Sequence, residues 1–252
     1  MIFKAFKGRR ARRLFPVTTP AGTFYRLYAD MLQQPHLLIA GATGSGKSCV
    51  VNGLIYTALF RAPGKQPDGA QLVLIDPKRV ELSLFRSAPH AILYASETAQ
   101  FVPALQSCMQ LCENRYKAMQ RNGERKFSGG DVFIIIDEFA DLILTAPAVK
   151  PIIQRLAQIG RAAKIHIVLC TQTPIAKVLP TEIKCNFDAR LALRTRSAQD
   201  SRNITGAAGC ETLPRYGQGF YITPESTRKV IIPAPYSDGE LQNMVQFWTR
   251  QF

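Results

Sequence analysis

Residues 41–48 have the sequence GATGSGKS, which matches the phosphate-binding pattern G-x-x-x-x-G-K-[ST] at every fixed position. The apolar run at 36–40 predicts a strand before this segment, and residues 49–55 predict a helix after it. The glycines allow backbone N–H groups to point inward at phosphate oxygens, beside the positive N-terminus of the helix. We therefore predict a nucleoside triphosphate site, against the alternative of a glycine-rich turn that only joins a strand to a helix.

Within this loop, two side chains have distinct predicted roles. We expect Lys47 to reach the β- and γ-phosphates and the hydroxyl of Ser48 to ligate Mg²⁺. The predicted nucleotide-binding set comprises Gly41, Ala42, Thr43, Gly44, Ser45, Gly46, Lys47, Ser48 and Cys49.

A phosphate loop of this kind requires an acidic partner at a strand end, and the chain offers two candidates. Asp76 follows the apolar run at 72–75, and Asp137 follows the run at 132–136. Only the second is followed by another carboxylate, Glu138. We therefore predict that Asp137 holds the Mg²⁺ shell and that Glu138 orients or deprotonates the attacking water. Asp76 then has a structural or supporting role.

Three further residues could complete the chemistry, although their spacing alone leaves the roles open. Gln172 follows the apolar run at 165–170 and could face the γ-phosphate, or it could belong to an ordinary polar cluster after a strand. A guanidinium from a neighbouring subunit can stabilise charge during phosphoryl transfer. Arg155 and Arg161 are the candidates, and either could equally be a solvated surface residue.

Elements that could position these residues alternate along the chain. Apolar runs predict strands at 36–40, 72–75, 132–136, 165–170 and 190–193, and later at 219–223 and 230–232. Helix-length segments fall at 46–60, 98–120, 147–163 and 198–204, with a C-terminal helix at 237–251. Such alternation predicts an α/β fold with a mostly parallel central sheet and helices on both faces.

Composition restricts the partners and the compartment. The chain of 252 residues has 32 Lys and Arg against 18 Asp and Glu, a net charge of +14, which predicts a polyanionic partner such as nucleic acid or an anionic membrane. No apolar run approaches the ~18 residues of a membrane span, and no signal peptide is visible. The six cysteines are scattered and are typical of reduced thiols in a cytoplasmic protein.

Four segments organise the chain. Residues 1–15 form a basic arm that is solvated, contacts a nucleic-acid backbone, or lies beside a membrane as a peripheral contact. Residues 16–35 are an irregular lead-in, residues 36–236 are the predicted nucleotide-binding domain, and residues 237–252 carry the C-terminal helix.

Several segments together resemble the FtsK/SpoIIIE family, within the wider FtsK–HerA group. In family order they are HLLIAGATGSGKS (36–48), LIDPKRVELSLF (74–85), ENRYKAM (113–119), IIIDEFADLI (134–143), RLAQIGRAAKIHIVLCTQTP (155–174) and DSRNITGAAGCETL (200–213). The resemblance covers residues 36–222, about three quarters of the chain.

The resemblance implies a RecA-like P-loop domain that binds ATP and Mg²⁺, assembles into a homohexameric ring around double-stranded DNA and moves it. It implies that the active site is shared between subunits. It assigns the phosphate and metal roles to Lys47, Ser48 and Asp137, and the catalytic base to Glu138. In the same way, Gln172 matches the γ-phosphate sensor and Arg161 matches an arginine finger that acts on the neighbouring subunit.

The family's pore-facing loops imply DNA contacts at Thr171, Lys184 and Arg202, with Lys177, Arg194 and Arg196 as neighbours. Two positions depart from the family pattern. Thr173 stands where the family usually has Arg, and Ala198 stands where a Lys is common. Both changes remove positive charge from the predicted pore loops, and Arg194 and Arg196 could compensate.

The segments before and after the matched region do not resemble the multi-span membrane domain or the C-terminal winged-helix module of chromosomal members, so we expect a chain without either. We therefore expect a compact DNA translocase of a plasmid, another mobile element or a virus, serving conjugation, packaging or segregation. The alternative is an ATPase of this kind that drives protein secretion. A nucleotide-dependent scaffold without hydrolysis is disfavoured by the intact Lys47, Asp137 and Glu138 set.

Overall fold

Eight strands form one sheet in the computed structural model, which describes residue 27 and residues 31–61 and 70–251. The strands are β1 His36–Ala40, β2 Gln71–Ile75, β3 Ala91–Ala95, β4 Val132–Ile136, β5 Ile165–Thr171, β6 Ala189–Ala192, β7 Gln218–Ile222 and β8 Thr227–Ile231. Their order in the sheet is β3-β2-β4-β5-β1-β6-β7-β8. The first six strands pair in parallel, and β7 and β8 add an antiparallel edge.

Helices connect the strands and cover both faces of the sheet. They are α1 Lys47–Arg61, α2 Thr98–Asn122, α3 Phe139–Thr145, α4 Val149–Ile159, α5 Thr181–Lys184, α6 Ala198–Thr205 and α7 Asp238–Gln251. Short 3-10 turns lie at Ser83–Phe85 and Cys210–Thr212. In the part of the chain that the structure describes, no helix is both long and apolar enough to cross a membrane.

The inner strands are buried because apolar side chains point to both faces. On β4, Phe133 and Ile135 pack into a cluster with α1 and α7, whereas Ile134 and Ile136 pack into a second cluster with α2, α3 and α4. This two-sided burial explains why β4 is a continuous apolar run instead of an alternating one.

The predicted α/β architecture is confirmed, and each predicted strand lies within a few residues of an observed one. Three of the described helices and strands were missed, namely the edge strand β3 and the short helices α3 and α5. The helix predicted at 147–163 was too long, because α4 ends at Ile159. A side chain at Gly160 would meet the carbonyl oxygens of Leu156 and Ile165 at 2.7 and 2.9 Å, so the chain passes tightly here into the turn before β5.

Register brings the carboxyl ends of the central strands to one edge of the sheet. Ala40 of β1 pairs with Thr171 of β5, and Ile136 of β4 pairs with Ile75 of β2. Ligands of open parallel sheets bind beyond these strand ends. The predicted basic arm at 1–15 and most of the predicted lead-in at 16–35 lie outside the described residues.

Candidate active site

The loop between β1 and α1 has a backbone that only glycine accommodates at several positions. Gly44 and Gly46 have φ values of +73° and +101°, in the left-handed region. Gly41 is constrained by space instead, since a Cβ there would lie 2.6 Å from Ser45 Oγ and 2.8 Å from Leu193 Cβ. The loop then enters α1 at Lys47, so its N–H groups and the start of the helix face the same space.

Backbone hydrogen bonds hold this loop between the two strands that flank β1. The Gly41 N–H donates to the carbonyl of Thr171 at 3.2 Å, and the Ala42 N–H donates to the carbonyl of Arg194 at 2.7 Å. These contacts with the protein alone therefore hold the loop at both neighbouring strand ends.

Lys47 is folded back under the loop. Its Nζ donates to the carbonyl oxygens of Gly41 and Ala42 at 2.7 and 3.0 Å, and only 8% of the residue is exposed. Burial lowers the pKa of Lys47. Within the described residues this ammonium makes no ion pair with a carboxylate, so a phosphate oxygen would supply the charge partner that it lacks.

Carboxylates gather at the ends of β2 and β4. Burial, together with Asp76, Glu81 and Glu138, raises the pKa of Asp137 to about 7. Asp76 is fully buried, and its Oδ2 accepts from the Leu82 N–H at 3.1 Å, which fixes the turn after β2. The cluster concentrates negative charge around Asp137, and a cation bound there would lower the free energy of its ionised state.

Glu138 is 2% exposed, and both of its carboxylate oxygens have partners. Oε1 accepts from Thr171 Oγ1 at 3.1 Å and from the Gln172 N–H at 3.0 Å, and Oε2 pairs with Lys78 Nζ at 3.3 Å. These donors fix the carboxylate at the junction of β4, β5 and the turn after β2. The sequence offered one signal for Lys78, which follows the strand-end pair Asp76–Pro77.

Gln172 reaches the phosphate loop directly. Its Oε1 accepts from the Thr43 hydroxyl at 2.6 Å, and it lines the same pocket as Lys47 and Asp137. The structure thus brings together the predicted loop, metal acid, base and sensor positions.

Arg161 lies elsewhere. It is exposed in the turn between α4 and β5, and it therefore precedes the amino end of a seven-residue strand whose carboxyl end meets the loop. At ~3.3 Å per residue, β5 separates Arg161 from the site of its own chain by roughly 23 Å.

The residues predicted to contact DNA divide into two groups. Lys177, Arg194, Arg196 and Arg202 are exposed. Lys184 is half-buried, with its Nζ donating to the carbonyl of Asn203 at 3.3 Å.

Thr171 requires a correction. It is 0% exposed and its hydroxyl donates to Glu138. The side chain therefore positions the Glu138 carboxylate and is inaccessible to a DNA phosphate. The residue lies last in β5, still inside the sheet, whereas the predicted pore loop begins only after it.

A pocket of about 810 Å³ opens over the loop, within the range of small-molecule sites. Charged and polar side chains line one side, namely Lys78, Glu81, Asp137 and Gln172. The opposite side is formed by Tyr216, Gly217 and residues 232–235, near the antiparallel strands β7 and β8, whereas Val80 lies in the same turn as Lys78 and Glu81. The phosphate loop lies between the two sides, so the pocket has a polar half and an apolar half.

The donors present fit Mg²⁺ held jointly with a nucleotide. Ser48 and Asp137 both line the pocket and supply a hydroxyl and a carboxylate, which are hard oxygen ligands. Among the described residues no group of three or more His, Cys, Asp or Glu side chains could hold a metal ion. Mg²⁺ is typically bound by one or two carboxylates and substrate phosphates, which matches this sparse donor set.

Residues 7–132 and 131–176 match the FtsK/SpoIIIE family. A curated relative, the "DNA translocase FtsK" of Borreliella burgdorferi, is 40% identical over 211 residues, which cover 77% of this chain and 26% of the relative. The chain therefore spans about a quarter of the length of that protein.

Two solved structures share the fold. A structure of the pCW3 conjugation coupling protein TcpA, in a monomer form with ATPγS, superposes with a TM-score of 0.75 at 20% identity, covering 88% of this chain and 66% of that chain. ATPases 2 and 3 of Thermomonospora curvata EccC, in complex with a signal sequence peptide, superpose with a TM-score of 0.72 at 20% identity, covering 87% and 43%. These likenesses show that the two structures share the fold of this chain.

The raised pKa of Asp137 predicts a pH-dependent effect on stability. Between pH ~4 and 7 the folded state binds a proton that the unfolded state releases, so this group's contribution to stability is lost as pH rises through 7. Asp137→Asn should therefore raise the free energy of unfolding at pH 8, by up to about 4 kcal/mol, and by much less at pH 5. Urea unfolding without Mg²⁺ or nucleotide measures both values.

The exposed carboxylate of Asp188 provides a matched control, and Asp188→Asn should change the free energy of unfolding little at either pH. An Asp137→Asn effect that is equal at pH 5 and pH 8 would show that the pKa of Asp137 is not raised.

Proposed function

The chain belongs to the FtsK/SpoIIIE family, and we propose that it is an ATP-hydrolysing ring motor that moves double-stranded DNA. The observation that carries this proposal is that Lys47, Asp137 and Gln172 line one pocket over the phosphate loop, while the buried Glu138 accepts from the Gln172 N–H directly beside it. The curated relative named a DNA translocase supports DNA as the substrate.

In the proposed reaction the loop N–H groups and Lys47 bind the triphosphate and offset its charge. Ser48 and Asp137 would hold Mg²⁺, which supplies electrostatic stabilisation of the phosphates. Glu138 orients the attacking water and accepts its proton. Thr171 and Lys78 position that carboxylate, and Gln172 senses the γ-phosphate from the side of Thr43.

We propose a homohexamer in which Arg161 completes the site of the neighbouring subunit. Its place at the amino edge of β5, opposite the loop, supports a role in trans because it is remote from its own site. An arginine at the phosphates of the next subunit would stabilise the charge that develops in the transition state.

DNA contact is proposed for Lys177, Lys184, Arg194, Arg196 and Arg202. Arg194 and Arg196 follow the carboxyl end of β6, the strand beside the loop, so nucleotide-dependent movement there would reach them. The net charge of +14 favours a phosphate backbone as partner. Free cysteines support a cytoplasmic setting, and the fold likeness to a conjugation coupling protein supports a mobile-element context.

A second candidate function is the movement of polypeptides. The fold likeness to EccC ATPases 2 and 3, solved with a signal sequence peptide, favours it. Thr173 and Ala198, where the family commonly carries positive charge, also weaken the expected hold on DNA.

Duplex DNA should raise the ATPase rate of the chain and bind with strong salt dependence. With four exposed basic residues on phosphates, affinity should fall on the order of 100-fold between 50 and 200 mM salt. Steady-state hydrolysis with and without DNA, and fluorescence anisotropy at both salt concentrations, measure these effects. A rate that responds to a peptide substrate but not to DNA would support secretion instead.

Replacing the proposed base separates binding from hydrolysis. Glu138→Gln should lower the turnover number at least ~100-fold because the proton acceptor is lost. ATP affinity should stay close to that of the parent, because Glu138 does not line the pocket and the amide oxygen can still accept from Thr171 and the Gln172 N–H. Single-turnover hydrolysis and equilibrium nucleotide binding are the two readouts. Glu113→Gln, an exposed change on α2, is the matched control. Hydrolysis at the parental rate by Glu138→Gln would remove Glu138 from the base role.

Mixing two inactive variants tests whether Arg161 acts between subunits. Arg161→Ala retains an intact loop, and Lys47→Ala retains the arginine, so a mixed ring contains some sites with both groups. We expect partial recovery of ATPase activity that peaks at intermediate mixing ratios. Particle mass confirms that the variants assemble together. Co-assembly without any recovery would contradict the trans role.

A further inference from the structure

The apolar side of the pocket is held firmly against the phosphate loop. The Ile232 N–H donates to the carbonyl of Gly217 at 3.0 Å, which joins the entry to β7 with the exit from β8. Cys49 Sγ donates to the carbonyl of Pro233 at 3.2 Å, which ties this segment to α1. The wall is therefore a fixed surface and part of the same rigid unit as the loop.

Tyr216 is the large side chain of this wall, and it is 65% exposed. It lines the pocket with Ile232 and Pro233 instead of packing into the core. Gly217, with φ of +86°, makes the turn from Tyr216 into β7. A large exposed aromatic ring on a fixed apolar wall offers a stacking surface for a flat ligand.

Arg215 lies beside Gly44, the part of the phosphate loop that we call its crown. Its Nε and Nη2 are each 3.5 Å from the position that a Cβ at Gly44 would occupy, and its Cζ is 5.9 Å from the centre of the Tyr216 ring. Among the residues described, Arg215 forms no ion pair with a carboxylate. An exposed, unpaired guanidinium at this point adds positive charge to the rim of a site that already presents backbone N–H groups.

We propose that Arg215 and Tyr216 form a clamp for the nucleotide of their own subunit. Arg215 contacts phosphate oxygens at the crown of the loop, and Tyr216 stacks on the nucleoside base. The inference rests on the proposed binding of ATP and assigns the two ends of that ligand within the pocket.

The polarity of the pocket sets the direction of the ligand. The triphosphate lies over the loop, and its terminal phosphate points to the side of Asp137 and Gln172. The base must then lie on the opposite side, against Ile232 and Pro233. Pro233 and Pro235 have no N–H, and the Pro233 carbonyl already accepts from Cys49, so stacking dominates over hydrogen bonding in this base contact.

The clamp differs from the proposed role of Arg161 in a testable way. Arg215 is at the loop of its own chain, whereas Arg161 is at the far edge of the sheet. Arg215 should therefore contribute to binding at any protein concentration, including concentrations at which subunits are dissociated.

The experiment compares two ligands in the presence of Mg²⁺, the non-hydrolysable analogue AMP-PNP and inorganic tripolyphosphate, which lacks the nucleoside. Arg215→Ala should weaken both ligands about tenfold, as expected for the loss of one charge-assisted contact. Tyr216→Ala should weaken AMP-PNP about fivefold to tenfold and change tripolyphosphate less than about twofold, whereas Tyr216→Phe should retain parental affinity. Isothermal titration calorimetry measures all constants.

Arg121→Ala, an exposed change at the end of α2, is the control for loss of one positive charge and should leave both affinities unchanged. Melting temperatures confirm that each variant is folded, which their exposed positions favour. If the parent binds neither ligand, the proposed nucleotide function fails. If the parent binds both but either alanine variant binds like the parent, the clamp is overturned. A Tyr216→Ala variant that loses both ligands equally also overturns the base contact.

Discussion

The whole site depends on β1 lying between β5 and β6. Because these strands run parallel and in register, the loop that leaves β1 emerges between two strand ends, and each end accepts one of its N–H groups. The space left is so small that Gly41 has no room for a side chain. The β1–β5 register places Gln172 beside Thr43, and the β4–β5 register places Glu138 beside Thr171. Disturbing the first pairing would separate two side chains that lie 129 residues apart in sequence.

Around that frame, opposite charges are kept close without neutralising one another completely. Lys47 is bound to carbonyls, Glu138 is paired with Lys78, and Asp137 is left among carboxylates with a pKa raised to about 7. A magnesium-bound triphosphate brings negative charge to the first group and positive charge to the last. The positive charge of Lys47 and the negative charge at Asp137 are therefore complementary to the same ligand. This explains why the fold would retain both groups at a cost in stability.

The sequence predicted the features that local patterns specify. The glycine-rich turn after β1 and the Asp137–Glu138 pair after β4 both mark strand ends. They could be predicted because the residues that form each pattern are adjacent in the sequence and also in space. Lys78 and the proposed clamp residues Arg215 and Tyr216 were missed, because they meet the site through residues far along the chain. Thr171 was assigned to DNA from the resemblance, since sequence alone does not show that β5 extends one residue further and buries it. The edge strand β3 was missed because it is only partly buried, and its sequence therefore does not form a continuous apolar run like those of the inner strands.

The position of Arg161 has a consequence for assembly. This chain carries its phosphate loop at the carboxyl end of β5 and Arg161 before the amino end. If Arg161 acts as proposed, a neighbouring copy must place its own amino strand edge against the loop, and head-to-tail contacts of this kind close into a ring or continue as a filament. Catalytic competence would then be a property of the assembly, and it would disappear on dilution even if every chain stayed folded and loaded with nucleotide.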